Sequence, residues 1–314
     1  MASGHDSIRT EQLGFAYGTQ VALQGIDLRV EAGLFYGLLG PNGAGKSTLI
    51  HILSTLLPPA SGKVWIKGIA LCEAPDKVKK ILGIVPQEIA LYAELSALDN
   101  LIFWGRLYGL SLSECRNRAT YLLKRVGLET RMKDQVGHYS GGMKRRVNLA
   151  VALMHQPSIL LMDEPTVGVD PQSRNHIFDL LQELHQEGMT ILYTTHYMEE
   201  VERLCQKAAI IDHGRIIAQG DMDELREMSK GHASVDLQVQ EAGTDFLKRL
   251  NDQCKFPLEA KDSLLVFKTP TPQLSLSQII QEVLQAGGKI DKVEIRAPNL
   301  ESVFLDLTGR RLRD

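Results

Sequence analysis

The sequence has few cysteines, no strong charge bias and no long apolar run, and each shortage removes a class of protein. Its four cysteines, Cys72, Cys115, Cys205 and Cys254, lie far apart and form no CxxC pair. That spacing offers no disulfide or metal framework and suits free thiols in a reducing compartment. Lys and Arg number 35 against 38 Asp and Glu, so no global basic field attracts nucleic acid or anionic lipid. The longest uncharged stretch, Val147 to Met162, is broken by Asn148, His155, Gln156 and Pro157. It falls short of the ~20 apolar residues that cross a bilayer. The opening MASGHDSIRT lacks the apolar core of a signal peptide. A soluble chain is expected, with any membrane role exercised through a partner.

What is present is an ordinary globular composition, 44% hydrophobic and 23% charged over 314 residues, enough for roughly two domains. Residues 8 to 32 alternate apolar and polar on either side of Gly18-Thr19 and predict a β-hairpin. GLFYGLLG reads as a buried strand entering a glycine loop, and STLIHILSTLL as a helix stopped by Pro58-Pro59. Residues 88 to 157 read as mainly helical, with Leu101, Trp104, Leu107 and Tyr108 on one apolar stripe. From residue 158 the strands SILLMDEP and MTILYTTH flank a helix that ends at Gly188. AAIIDHGRIIAQG predicts a hairpin turning at His213-Gly214, and Asp221 with Glu224 predicts a helix cap. Composition shifts near Ser229-Lys230-Gly231-His232, which puts a domain boundary at about 228 to 233. Beyond it the β-α-β-β-α-β order is the ferredoxin-like pattern. A last helix, from Leu300 to about Leu307, has Pro298 before it, Asn299 as its cap and an apolar stripe of Leu300, Val303, Phe304 and Leu307.

The chemistry starts at GPNGAGKST: Gly40, Pro41, Asn42, Gly43, Ala44, Gly45, Lys46, Ser47 and Thr48. This is G-x-x-x-x-G-K-[ST] between a buried strand and a helix, the context that the motif requires. Glycines let backbone N–H groups close around phosphate oxygens, and the helix N-terminus adds its positive dipole end. Lys46 can reach the β- and γ-phosphates of a nucleotide, and the Ser47 hydroxyl is placed for Mg²⁺. ILLMDEP supplies the second half, with Asp163 and Glu164 emerging at the C-terminal end of a buried strand. Asp163 can hold Mg²⁺ through water, and Glu164 can orient or deprotonate the attacking water.

The stretch YSGGMKRRVNLA, Tyr139 to Ala150, resembles the LSGGQ signature of ATP-binding-cassette (ABC) ATPases. Further matches follow in order: Tyr17 as the aromatic that stacks on adenine, Gln87 as the Q-loop glutamine, Val167 to Asp170 as the D-loop, and His196 as the switch histidine. The resemblance covers about residues 8 to 225. It implies an α/β P-loop NTPase cassette over 8–228, with a RecA-like core, an antiparallel β subdomain and a helical signature subdomain. A small α+β ferredoxin-like domain over 233–314 is expected beyond it. Glu164, His196 and Gln87 are the implied catalytic residues, and Ser47, Gln87 and Asp163 the implied Mg²⁺ ligands. Ser140, Gly141 and Gly142 are implied to cover the ATP of a second subunit, in a head-to-tail homodimer. Tyr139 and Met143 depart from the family's Leu and Gln, while Ser-Gly-Gly is intact. Lys144, Arg145 and Arg146 are expected to form a solvated helix face, because no aromatics interleave them for nucleic acid.

No heptads run between Lys46 and Asp163, which disfavours a chromosome- or repair-type ATPase, and one cassette rather than two disfavours a translation factor. YSGGMKRRVNLA, DEPTVGVDPQSR, THYMEEVERLC and PNLESVFLDLTGR are similar to the ATPases of daunorubicin-resistance type exporters. That resemblance implies a separate transmembrane permease, contacted through Glu88 to Leu98, and a peripheral place on the cytoplasmic side of the membrane. An importer subunit, or a soluble non-transport ABC ATPase, is the alternative. The transported substrate is bound by the permease and has no signature here.

Overall fold

The computed structural model describes residues 6–228, 234–240, 242–269, 272–296 and 299–309. The composition shift at Ser229 to His232 and Pro298 lie outside the described residues. The chain divides into two compact units, one reaching Met222 and the other beginning at Asp223. The division precedes the expected 228–233 because a short helix follows the last strand of the first unit directly, and the Ser-Lys-Gly stretch comes only after it.

In the first unit, β1 (Asp6–Tyr17) and β2 (Gln20–Glu31) form the expected hairpin around Gly18, whose φ of 59° suits a residue without Cβ. Next come β3 (Phe35–Leu39), α1 (Lys46–Leu53), β4 (Ser61–Ile66), β5 (Ile69–Ala70), α2 (Pro75–Lys79) and β6 (Leu82–Val85). The helical part holds α3 (Ala97–Leu107), α4 (Leu112–Arg125) and α5 (Gly141–Ala152). The unit closes with β7 (Ile159–Asp163), α6 (Pro171–Gln186), β8 (Thr190–Thr195), α7 (Met198–Leu204), β9 (Lys207–Asp212) and β10 (Arg215–Asp221).

Two sheets result. One is four-stranded and antiparallel in the order β2-β1-β4-β5; the other is six-stranded in the order β10-β9-β3-β8-β7-β6. In the larger sheet β9, β3, β8, β7 and β6 run parallel, and β10 pairs antiparallel with β9 at the edge. Every residue of β3, β7 and β8 is buried, as continuous apolar runs in a sheet covered on both faces require. Helix α1 sits in the shared core, where Leu49, Ile50, Ile52 and Leu53 meet residues of both sheets such as Leu28, Ile66 and Leu161. The C-terminal ends of β3, β6, β7 and β8 therefore open on one rim, the rim where parallel sheets bind ligands.

Three expectations change. Helix α1 ends at Leu53 rather than running on to Pro58, since Thr55 turns left-handed at φ 66° and the Leu56 and Leu57 N–H groups fold back on the His51 carbonyl. The buried face of α3 is Ala97, Asn100, Leu101 and Gly105, so Leu107 and Tyr108 of the expected stripe are exposed. Gly105 makes that rotation possible: a Cβ there would come within 2.7 Å of Met154 and 2.8 Å of Cys115. Arg145 and Arg146 are not a solvated face. Arg145 is buried and donates to the carbonyls of Pro86 and Gln87, each at 2.7 Å, while Arg146 donates to Val126 at 2.8 Å.

The division falls at the first residue of α8 (Met222–Glu227), and the second unit continues through β11 (Ser234–Val239), α9 (Thr244–Gln253), β12 (Leu258–Lys261), β13 (Leu264–Lys268), α10 (Pro272–Gln285), β14 (Ile290–Arg296) and α11 (Leu300–Thr308). Its antiparallel sheet has the order β12-β13-β11-β14. Val235, Leu237 and Phe267 of the sheet share one core with Phe246 and Leu250 of α9 and Ile279 and Val283 of α10. Asn299 caps α11 as expected, exchanging hydrogen bonds with Ser302 in both directions. Leu300, Val303 and Phe304 are fully buried, whereas Leu307 at the last turn is 42% exposed.

Candidate active site

The glycine loop leaves β3 at Gly40, where a Cβ would lie 2.3 Å from the Ile211 carbonyl oxygen. Gly43 and Gly45 adopt φ of 80° and 107°, conformations that side-chain-bearing residues avoid. The loop then enters α1 at Lys46. A cavity of about 380 Å³ opens above it, lined by loop residues Asn42, Gly43, Gly45, Lys46, Ser47 and Thr48. Tyr17, Gln87 and Glu164 complete the wall on sites expected from the sequence. Gln20, Val21 and Ala22 also line it, which the sequence reading missed. Their signal was the hairpin turn beside Tyr17, which brings the start of β2 to the same wall.

Inside the cavity Lys46 is buried and its Nζ donates to the carbonyls of Gly40 at 2.7 Å and Pro41 at 2.9 Å. The same Nζ pairs with Glu164 Oε1 at 2.9 Å. The other oxygen of that carboxylate, Oε2, lies 3.2 Å from His196 Nδ1. One carboxylate thus joins the phosphate-loop lysine and the histidine at the end of β8. The backbone of Glu164 is left-handed at φ 44°, a strained choice for a residue with a side chain. It is held by the Glu164 N–H, which donates to the carbonyl and the hydroxyl of Thr194.

Asp163 is buried and accepts from the Thr194 hydroxyl at 2.8 Å. It is not among the residues lining that cavity. It lies instead at the floor of a neighbouring apolar groove of about 430 Å³, with Ile50, Pro86, Ala90, Trp104 and Tyr108. Thr194, which orders both acids, was also missed. Among the described residues no cluster of three or more His, Cys, Asp or Glu could hold a metal by itself. Ser47 and Gln87 line the cavity and Asp163 does not, so the hydroxyl and the amide would hold Mg²⁺ directly and the carboxylate through water, with phosphate supplying the other oxygens.

The signature residues are elsewhere. Ser140 caps α5 by accepting from the Met143 N–H, and Ser140 and Gly141 are exposed. Gly142 is packed so closely that a Cβ would lie 2.2 Å from Ser173 Oγ on α6. None of the three lines the cavity built by the glycine loop.

A parallel sheet whose rim carries a glycine loop, a buried lysine and a paired acid and histidine defines a P-loop ATPase. Known proteins narrow that class. The sequence model of the ABC transporter family matches residues 23–167, and an AAA-domain model (AbiEii toxin, type IV toxin–antitoxin system) matches residues 135–202. The linearmycin resistance ATP-binding protein LnrL of Bacillus subtilis is 43% identical over 98% of this chain and 100% of its own length. The Nod factor export ATP-binding protein I of Cupriavidus metallidurans is 40% identical over 95% of this chain and 96% of its own. The daunorubicin/doxorubicin resistance ATP-binding protein DrrA of Streptomyces peucetius is 34% identical over 98% and 94%. Among solved structures, a dimeric bacterial ABC transporter cassette superposes with a TM-score of 0.63 at 29% identity, covering 68% of this chain and 98% of that one. The chain belongs to the ABC transporter family as an ATP-hydrolysing, ATP-binding protein of the drug-resistance exporter type.

Proposed function

We propose that the chain drives export through a separate membrane permease, binding and hydrolysing ATP as a head-to-tail pair of subunits. The observation that carries this reading is the split site. The glycine loop and Glu164 share one cavity and His196 touches Glu164, while exposed Ser140 and Gly141 stand at a helix N-terminus outside it. A helix N-terminus favours phosphate, so a second subunit can present Ser140, Gly141 and Gly142 to the γ-phosphate bound by the first. The names of the relatives, in drug resistance and Nod factor export, support the outward direction.

In this mechanism Tyr17, half-exposed at the cavity mouth, stacks on adenine. Lys46 and the loop N–H groups hold the β- and γ-phosphates. Ser47, Gln87 and Asp163 would hold Mg²⁺, whose charge would offset that of the phosphate oxygens. Glu164 takes a proton from the attacking water as the bond between the β–γ bridging oxygen and the γ-phosphorus breaks. His196 contacts the γ-phosphate and, through its contact with Glu164, keeps the carboxylate turned toward that water. The second unit, with its β-α-β-β-α-β order, is ferredoxin-like and accessory to this chemistry.

Sedimentation of the slow variant Glu164→Gln tests the pairing. With MgATP it is expected to run as a dimer, and without nucleotide as a monomer. Monomer under both conditions would rule out the composite site.

The permease docks on Glu88 to Leu98, in the same reading. Ile89, Tyr92 and Leu95 there are exposed apolar residues beside the groove that holds Trp104 and Tyr108. Asn100 shapes the segment from below, accepting from the Tyr92 N–H and donating to the Tyr92 and Ser96 carbonyls. Among the described residues no helix is long and apolar enough to cross a membrane, so attachment to its cytoplasmic face falls to such a surface. Leu91→Glu with Tyr92→Glu is expected to abolish transport and permease co-purification while ATP binding stays at its wild-type level. Undiminished co-purification would exclude this surface.

A further inference from the structure

Glu200 is a carboxylate that the chemistry above does not use, yet it is almost completely buried, at 3% exposure. Its surroundings are selective. Oε1 accepts from Thr166 Oγ1 at 2.7 Å, and Oε2 accepts from Tyr193 OH at 2.9 Å and from Thr195 Oγ1 at 2.8 Å. The nearest cation is Arg174, whose Nε stands 3.9 Å from Oε1, beyond hydrogen-bond reach. A buried carboxylate held mainly by hydroxyl donors is costly to keep, and such groups persist where their geometry is needed.

The donors flank the catalytic pair rather than the scaffold at large. Thr166 comes two residues after Glu164 and opens the loop that runs to Asp170. Tyr193 and Thr195 lie in the second half of β8, which ends immediately before His196. Thr195 also accepts from the Tyr197 N–H at 2.9 Å, which brackets His196 between two fixed peptide groups. The Thr195 carbonyl in turn accepts from the Gly40 N–H at the start of the phosphate loop. Outside the bracket, Arg174 covers the Tyr197 ring at 5.5 Å, and the Tyr197 and His196 rings are 4.1 Å apart. Burial and the Glu200 charge both push the Tyr193 phenol pKa up, so that group remains a donor.

We propose that Glu200 is a positioning residue that clamps the His196 segment and the Thr166 loop together, setting the register of His196 against Glu164. The proposal rests on the reading of Glu164 and His196 as the groups that act at the γ-phosphate. Gln in place of Glu keeps the volume but offers one oxygen where three hydroxyls need acceptors. The clamp would loosen while the phosphate loop, which binds nucleotide, stays intact.

The test compares full-length wild type with Glu200→Gln, His196→Ala and the double variant, following MgATP turnover and the imidazole NMR signals of His196. Glu200→Gln is expected to lower kcat by at least about 10-fold with KM for MgATP within about 2-fold, as losses of orienting groups do. In the His196→Ala background the same substitution is expected to cost less than about 2-fold, because the residue to be positioned is gone. The His196 ring signals are expected to shift and broaden in Glu200→Gln. Thr195→Val, which removes the hydroxyl that donates to Glu200 and accepts from the Tyr197 N–H but leaves the carboxylate in place, is the milder variant should Glu200→Gln fold poorly, and the same kcat-selective loss is expected from it. Equal losses in both backgrounds, or unchanged His196 signals, would overturn the proposal and leave Glu200 as a support for α7. Wild-type turnover of His196→Ala would instead refute the role of the histidine, a failure separable from the NMR outcome.

Discussion

Glu164→Gln is expected to bind MgATP as tightly as wild type, or more so, and to hydrolyse it at least about 10²-fold more slowly. Glu164 is the acid that faces the cavity, and its two oxygens already touch the groups on either side of the expected water, Lys46 Nζ at 2.9 Å and His196 Nδ1 at 3.2 Å. The amide keeps the shape but accepts no proton from water at neutral pH. It also forms no ion pair, so Lys46 gives up no carboxylate partner when it turns to phosphate. Lys46→Ala is the informative contrast, because it removes the phosphate ligand and is expected to weaken binding itself. Phosphate release and fluorescent-nucleotide titration distinguish the two variants. Wild-type turnover of Glu164→Gln in the presence of the permease would exclude Glu164 as the base.

Phe304→Glu is expected to destabilise the packing of α11 by about 3–5 kcal/mol, the range for a charge buried without a partner. Phe304 is fully buried on α11, between the equally buried Leu300 and Val303. A carboxylate there loses the aromatic packing and is stripped of water at the same time. It is expected to pull the helix away from the residues that bury it. Denaturant titration followed in each unit would locate the loss, while nucleotide affinity should hold, since Phe304 is no part of the cavity wall. A change below about 1 kcal/mol would mean that α11 turns this side chain to water with little cost.

Much of the site was legible because its chemistry is local in sequence. Gly40 to Thr48 carries its own conformational demand, and only glycine tolerates Gly45 at φ 107° or the Gly40 approach to Ile211. The hairpin turns at Gly18 and His213-Gly214 were legible for the same reason, being short stretches with positive φ. Pairing partners were harder. That Glu164 bridges Lys46 and His196 joins three segments far apart in the chain, and no spacing rule expresses it. Arg145 looked like one of a solvated basic run, yet two carbonyls at Pro86 and Gln87 draw it inward and burial lowers its pKa.

By itself the sequence determined the class of the protein, the phosphate-binding loop, the acids at the end of β7 and the order of strands and helices in the second unit. These follow from backbone conformation and periodic burial, which neighbouring residues dictate. The tertiary structure alone decided which face of α3 is buried, where α1 ends, and how Thr194 and Glu200 organise the residues beside them. Those outcomes depend on atoms brought together across the parallel sheet, where the strands that carry the site are separated in sequence and hydrogen-bonded in space.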